Sequence, residues 1–264
     1  MGSALIILPG VIVTLIATTL SFDRYQSLKG SIVSVPELVG GQRAATGIED
    51  LVLAIGLLLN NLAACLVGGY VATLVVRRQM GASVSIRAGY RAMLPRLPSL
   101  FVAWVFGHCW LPLVGLALAR VRGGGVVSLI VFGFPAVLLL VTFTLVVSPV
   151  IVIERLGPFA AIRRSIRLAR TDFGALYGFA FCSVVIGLVV QYGIAYLPRL
   201  LQATGLVAFG RFGWLIEGVA GQLGRLISIP LIAAATAFVY VEMRMSREGM
   251  DLVLDADRAF GPAA

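Results

Sequence analysis

Long apolar segments alternate with short charged segments along the whole of this 264-residue chain. An apolar run of about 18 residues or more is long enough to cross the ~30 Å hydrocarbon core of a bilayer as a helix. The pattern predicts six spans, at about 4–20, 51–76, 99–119, 126–153, 173–196 and 226–243. We therefore expect an all-α polytopic membrane protein, with residues 1–264 forming a single integral membrane domain.

Two charged segments carry their basic residues in helical register. We call residues 77–98 the first elbow and residues 154–172 the second elbow. A helix over 157–170 places four arginines in one arc of roughly 120° and four apolar residues in a neighbouring arc of roughly 80°. The arginines are Arg163, Arg164, Arg167 and Arg170, and the apolar residues are Phe159, Ile162, Ile166 and Ala169. A helix divided in this way is expected to lie in the plane of a membrane surface.

Two further segments that follow spans predict interfacial helices at about 81–94 and 249–260. Alignment of Gly81 with Gly157 pairs Arg87 and Arg91 with arginines of the second elbow at a constant offset of 76, which indicates an internal repeat. The third segment carries aspartates in place of the run of arginines. We expect cytoplasmic amphipathic interfacial helices after spans two, four and six.

Composition and charge distribution support this picture. Only 12% of the residues are charged and 59% are hydrophobic, whereas soluble domains carry about 25% charged residues. Of the 21 basic residues, thirteen lie in the two elbows and the C-terminal tail and eight lie on the other side. The positive-inside rule therefore places both elbows and both termini in the cytoplasm. The basic residues are twenty arginines and one lysine, a bias that suggests a bacterial genome of high GC content and hence a bacterial inner membrane. The net charge of +9 favours anionic lipids as partners, and no nucleic-acid-binding motif accompanies it.

A few polar residues interrupt the predicted spans or lie close to them. Asn60 begins a stripe with Ala64, Gly68 and Ala72 at i+4 spacing, which favours close helix packing and a hydrogen bond between helices. A substrate-lining role for Asn60 and Asn61 is the alternative. The other intramembrane polar candidates are His108, Gln191 and Glu217. For His108, a proton relay is set against packing between helices or near the outer surface. For Glu217, a buried functional carboxylate is set against simple contact with water or with another helix.

Three local features predict details of the spans. Ser148-Pro149 predicts a kink in the fourth span, with the serine hydroxyl satisfying a freed carbonyl. Gly174, Gly178 and Cys182 form a small-residue face on the fifth span. Residues 198–222 are expected to be an outer loop with a half-buried helix around 212–222.

Catalytic motifs are missing from the pattern. The chain has one histidine, and its three cysteines lack metal-ligand spacing. The sequence shows no nucleophile motif, phosphate-binding loop or dinucleotide fingerprint. We expect no metal, no cofactor, no catalytic residue and no enzymatic activity.

The second elbow, GPFAAIRRSIRLAR, and the end of the sixth span, ATAFVYVEMRMSREGMDL, resemble a known family. They are similar to bacterial polytopic proteins related to the membrane domain of glycerophosphoryl diester phosphodiesterases. The matching positions are Gly157, Pro158, Ala161, Arg164, Ser165, Arg167, Leu168, Tyr240, Arg244, Arg247, Glu248, Gly249 and Asp251, and the departures are Ile166 and Glu242. The resemblance implies six membrane helices with interfacial helices. It implies no catalytic residue here, because catalysis in that family belongs to a separate soluble domain.

The sequence thus predicts a non-enzymatic inner-membrane protein whose basic helices bind anionic lipid headgroups, in a membrane-organising or accessory role. The expected headgroup contacts are Arg87, Arg91, Arg163, Arg164, Arg167 and Arg170. The alternative is a transporter or permease subunit for a lipid or another amphiphile. That alternative is motivated by the internal repeat, the broken spans and the intramembrane polar residues.

Overall fold

The computed structural model describes residues 2–20, 47–110, 132–209 and 212–249, and these parts of the chain are helical and contain no strand. The helices are α1 (Gly2–Leu20), α2 (Gly47–Gln79), α3 (Ile86–Met93), α4 (Leu97–Gly107), α5 (Phe134–Thr144), α6 (Val147–Ile153), α7 (Pro158–Thr171), α8 (Phe173–Ala203) and α9 (Gly213–Glu248). A 3₁₀ turn over Leu94–Arg96 joins α3 to α4. The all-α prediction is confirmed for these residues.

Four segments are long and apolar enough to cross a membrane: Ala54–Gln79, Phe134–Ile153, Phe173–Ala203 and Leu215–Glu248. The protein is therefore a membrane protein. The first predicted span coincides with α1, whose apolar part, Gly2–Ile16, is shorter than the other four. The third predicted span begins in α4 and continues into residues 111–131, which lie outside the described residues, as does the predicted interfacial helix 249–260 except for its first residue.

Helices α1 and α2 pack through small and polar residues. The Asn60 side-chain amide donates to the Thr14 hydroxyl at 2.9 Å, which confirms the expected hydrogen bond between helices. Gly10 lies so close to Asn60 that a Cβ atom there would be 2.6 Å from the Asn60 side-chain oxygen. Small residues allow this close approach.

The core forms where α2 meets α4, α6 and α9. Gly68 faces the Ser148 side chain, and Gly69 faces Val152 and Leu100. Cys65 Sγ lies 3.2 Å from the Ser148 hydroxyl, so that hydroxyl meets α2 rather than a freed carbonyl of its own helix. The small-residue stripe predicted on α2 therefore serves packing.

The fourth predicted span is broken where the sequence predicts a kink. Helix α5 ends at Thr144 and α6 begins at Val147, two residues before Pro149. Proline has no backbone N–H, and its ring clashes with the carbonyl four residues earlier, which is that of Leu145. The break between the two helices lies at this position.

Helices α8 and α9 form a long antiparallel pair. Gly224 contacts the Gln191 backbone, Gly221 contacts Ala195, and a Cβ at Gly187 would be 3.0 Å from Ile232. The small-residue face predicted on the fifth span does not pack against another helix in the described structure. Gly174 and Gly178 face open space, and Cys182 is exposed.

The helix predicted at the end of the 198–222 segment is present as the start of α9, which runs from Gly213 to Glu248. The loop predicted before it is shorter than expected, because α8 continues through Pro198 to Ala203. The glycine-rich start of α9 contacts α8 at Gly221 and Gly224.

The proposed repeat aligns residues with different backbone roles. Gly81 and Gly249 adopt left-handed conformations, with φ of 72° and 62°, just after α2 and α9 end. Gly157 has a φ of −69° and is the N-cap of α7. The N-cap of α3 is Ser85, so the helix starts are offset by 72 residues rather than 76. The two elbows are similar in composition but differ by about one helical turn in register.

Candidate functional site

Both elbows lie at the same end of the helical bundle, together with Gly2 and Glu248. The Tyr90 hydroxyl on α3 donates to the Gly2 carbonyl at 2.6 Å. Arg96 beside the first elbow's helix donates to the Arg155 carbonyl at 3.4 Å. Arg164 pairs with Glu248 at the end of α9. We call this the elbow end, and the opposite end, where α8 turns into α9, the far end.

The charge of the described residues is concentrated at the elbow end. Twelve arginines lie there, in the last turn of α2, the two elbows and the last turns of α9. The carboxylates described at the same end are Glu154, Asp172, Glu242 and Glu248. The elbow end is therefore strongly positive even after its ion pairs are counted.

Five side chains from α6, α7 and α9 form a polar cluster, which we call the Glu154 cluster: Glu154, Arg164, Tyr240, Arg244 and Glu248. Arg164 Nε donates to Glu154 Oε2 at 3.1 Å, and its terminal nitrogen pairs with Glu248. The Tyr240 hydroxyl donates to Glu154 Oε1 at 2.8 Å. Arg244 Nε donates to Glu248 Oε2 at 3.2 Å. These contacts tie the second elbow to the end of α9.

The Glu154 cluster is balanced in charge and largely screened from solvent. Its carboxylates and guanidinium groups are two of each, with side-chain exposures between 14% and 27%. The hydrogen bond to Glu248 raises the pKa of Arg164 above its ordinary value, so this group stays charged. Partly buried pairs of this kind stabilise more than exposed ones. The arrangement holds helices together and leaves Arg164 occupied within the protein.

The other three arginines of α7 point to the surface. Arg163, Arg167 and Arg170 are exposed and have no carboxylate partner among the described residues. The buried face of α7 consists of Ala161, Ser165, Leu168 and Ala169. The Ser165 hydroxyl donates to the Phe143 carbonyl on α5 at 2.7 Å, which seats the helix against the bundle.

The apolar arc predicted for α7 is only partly buried. Ala169 is fully buried, Ile162 packs against the core, and Phe159 is 55% exposed. The Phe159 ring lies 5.3 Å from Phe106, which is 63% exposed. Exposed aromatic rings therefore lie beside the exposed arginines of α7.

The intramembrane polar candidates lie at separate contacts. Asn60 bonds to Thr14, and Asn61 accepts from the Trp104 indole at 2.7 Å. Glu217 pairs with Arg199 of the neighbouring helix α8 at 2.7 Å.

The remaining two candidates are also apart from one another. The backbone of Gln191 packs against Gly224, and His108 is the C-cap residue of α4. The described residues contain no group of three or more histidine, cysteine, aspartate or glutamate side chains placed to hold a metal ion. These candidates therefore do not converge on one site within the described structure.

Sequence reasoning missed the part played by Glu154 and Tyr240, because their partners lie far away in the chain. Tyr240 is 86 residues from Glu154 and Arg164 is 84 residues from Glu248. The only available signal was that Arg164, Tyr240, Arg244 and Glu248 all belong to the motifs that carry the family resemblance.

The chain was compared with protein-family models, with curated proteins and with solved structures. None of them matches it. The resemblance to the membrane domain of glycerophosphoryl diester phosphodiesterases stays a prediction.

Proposed function

We propose that this protein lies in a bacterial inner membrane with six spans and holds anionic lipid headgroups on the cytoplasmic leaflet at its elbow end. The role is membrane-organising or accessory, and it requires no catalytic residue. Helices α3 and α7 lie along the leaflet surface in this arrangement, and both termini are cytoplasmic.

The observation that supports the proposal is that one arginine of α7 is paired with carboxylates of the protein, whereas the other three are exposed. Arg164 is held by Glu154 and Glu248, whereas Arg163, Arg167 and Arg170 are exposed without carboxylate partners among the described residues. Each basic residue near an anionic leaflet is worth about 1 kcal/mol, so these three supply about 3 kcal/mol before salt screening. Arginine also matches the phosphate oxygens of headgroups in geometry.

The spacing of charges along α9 fits this placement in a bilayer. Arg225 and Glu242 on α9 enclose an uncharged stretch whose ends are ~26 Å apart at 1.5 Å per residue. That distance is close to the ~30 Å hydrocarbon core. The Arg199–Glu217 pair then lies beyond the opposite membrane surface, at the far end.

A triple variant tests the proposed lipid contact. In the full-length protein extracted from membranes containing phosphatidylglycerol, Arg163→Gln, Arg167→Gln and Arg170→Gln together should lower the amount of bound phosphatidylglycerol at least tenfold. Three kcal/mol exceeds the ~1.4 kcal/mol that corresponds to a factor of ten, which leaves room for screening. Native mass spectrometry counts the lipids that remain bound.

The matched control replaces the same three residues with lysine, which keeps the charge. The lysine variant should retain phosphatidylglycerol nearly as well as the unmodified protein. Equal retention in the glutamine variant would contradict the proposal, because these arginines would then only set topology.

The orientation of the bundle is tested by labelling with a membrane-impermeant maleimide. With Cys65, Cys109 and Cys182 replaced, a cysteine at exposed Thr204 of the far end should react from outside intact cells. A cysteine at exposed Ala160 of α7 should react only after the cells are opened. Labelling of Ala160→Cys in intact cells would reverse the proposed topology.

A further inference from the structure

The first elbow contains a groove between the end of α2 and the helix α3. Its volume is about 360 Å³, and it is lined by Arg77, Ser85, Arg87, Ala88, Arg91 and Ala92. Three of these six residues carry guanidinium groups and none is acidic. A concave site with such a lining has the electrostatic character that an anion requires.

The local fold explains why the three arginines meet. Gly81 closes α2 in a left-handed conformation, with its N–H bonded to the Arg78 carbonyl, and turns the chain back towards α3. Arg87 and Arg91 are four residues apart, so they lie on one face of α3. Arg77 comes from the last turn of α2. The Ser85 hydroxyl accepts from the Ala88 N–H at 3.1 Å and keeps its own O–H free to donate.

The charge arrangement of the groove favours a negatively charged ligand. Arg87 and Arg91 are like charges at i,i+4 with no carboxylate partner among the described residues, and such pairs destabilise a short helix. Arg77 adds a third guanidinium group to the same lining. A bound anion with several oxygen acceptors would offset this repulsion.

The surroundings of the groove indicate where that anion comes from. Large apolar side chains on either side of it are exposed, namely Met80 at 55%, Val84 at 44%, Ile86 at 50% and Leu94 at 53%. A charged groove bordered by exposed apolar side chains suits an amphiphilic ligand with a charged headgroup and an apolar tail. A freely soluble anion would make no use of that border.

We propose that this groove is a binding site for a phosphomonoester headgroup of a membrane lipid, of the phosphatidic acid type. The assignment rests on the proposed function, since it requires the first elbow to lie on the leaflet. A phosphomonoester carries about −1.5 to −2 charges at pH 7 and three acceptor oxygens, which three guanidinium groups and one hydroxyl match. A phosphodiester headgroup such as that of phosphatidylglycerol carries one charge and leaves donors unused.

The two elbows therefore have different tasks. In the proposed arrangement the exposed arginines of α7 respond to the charge of the leaflet as a whole. The groove of the first elbow selects the phosphate group. Arg77, which sequence reasoning did not single out, is the residue that makes the difference.

A competition experiment on the full-length protein in detergent tests the assignment. Phosphatidic acid and phosphatidylglycerol are offered in equal amounts, and native mass spectrometry measures the ratio of the two bound lipids. The unmodified protein should prefer phosphatidic acid about fivefold, which corresponds to about 1 kcal/mol for the additional charge. The Arg87→Gln/Arg91→Gln variant should bring the ratio to about one. Arg77→Lys, which keeps the charge but loses the forked donors of the guanidinium group, should lower it.

The matched control is the triple glutamine variant of α7, which should bind less of both lipids but keep the preference. A preference that survives in Arg87→Gln/Arg91→Gln would overturn the groove assignment while leaving the proposed function untouched. Unchanged phosphatidylglycerol binding in the α7 variant would instead count against the proposed function. Inorganic phosphate is the third arm: if it removes the preference at the lipid's own concentration, the site takes soluble phosphate and the lipid assignment fails. Melting temperatures of all variants show that each is folded.

Discussion

The Arg164→Ala variant is expected to lose about 1–3 kcal/mol of unfolding free energy. Arg164 bonds to Glu154 and Glu248, two carboxylates that lie on different helices and are largely covered. Removing the guanidinium leaves both without their main partner, and charged groups deprived of a partner in a partly buried place are costly. Detergent-extracted protein should therefore unfold at a lower temperature or a lower denaturant concentration.

Arg163→Ala is the matched control, because Arg163 is the preceding residue of the same helix and is exposed without a carboxylate partner among the described residues. Its change should be below about 0.5 kcal/mol, as for other surface substitutions. A double-mutant cycle with Glu248→Gln should show a coupling energy between Arg164 and Glu248. Equal stability of the Arg164→Ala and Arg163→Ala proteins would mean that the Glu154 cluster contributes nothing.

The Gly224→Val variant is expected to separate α8 from α9 and to destabilise the protein by about 1–3 kcal/mol. A Cβ at position 224 would lie 2.8 Å from the Gln191 Cα and 2.9 Å from its carbonyl oxygen. These are backbone atoms, so they cannot move aside as a side chain can. Helix association in a membrane depends on close packing of this kind. Thermal unfolding in detergent measures the loss.

Gly178→Val in α8 is the control for this substitution. Nothing lies within 4 Å of a Cβ at position 178, so the same side chain meets open space in the described structure. The change should be small, since replacing a helix glycine removes unfolded-state freedom. A large loss from Gly178→Val with none from Gly224→Val would show that α8 and α9 pack through other faces.

Both substitutions are expected to affect the proposed function, because both loosen the contacts that hold the second elbow at the elbow end. Asp172 at the start of α8 pairs with Arg247 near the end of α9 at 3.4 Å, close to the Glu154 cluster. Loss of the Gly224 contact would loosen the pair of helices to which the second elbow is tied. The lipid binding proposed for Arg163, Arg167 and Arg170 should then become less tight, although none of these residues contacts Gly224.

The sequence alone predicted the helical class and the place of the second elbow's helix. Residues 157–170 were predicted to be helical, and α7 covers Pro158–Thr171. The stripe headed by Asn60 was predicted to pack, and it does so against α1 and α6. Both predictions rest on spacing within one segment, which is a local property of the chain. The count of six spans and the surface position of α3 and α7 stay predictions.

Other features required contacts between distant residues. The fifth span contains several small residues, and spacing alone favoured Gly174 and Gly178 over Gly187, which faces α9. The helix at the end of the predicted outer loop was expected and is the start of α9, but the extension of α8 to Ala203 was not. Periodicity identifies a face, but the register of two helices decides which face is covered.

By itself, the sequence determined that this protein is a helical membrane protein with basic amphipathic elbows, because hydrophobic length and a period of 3.6 residues act within each segment. Only the tertiary structure decided which arginines remain available to a ligand. Arg164 is neutralised by a carboxylate 84 residues away, and Arg77 is brought beside Arg87 and Arg91 by the turn at Gly81. The electrostatic energy of a charged side chain depends on the charges that the fold brings near it. The four arginines of α7 are equivalent in the sequence pattern, but the fold gives them different partners.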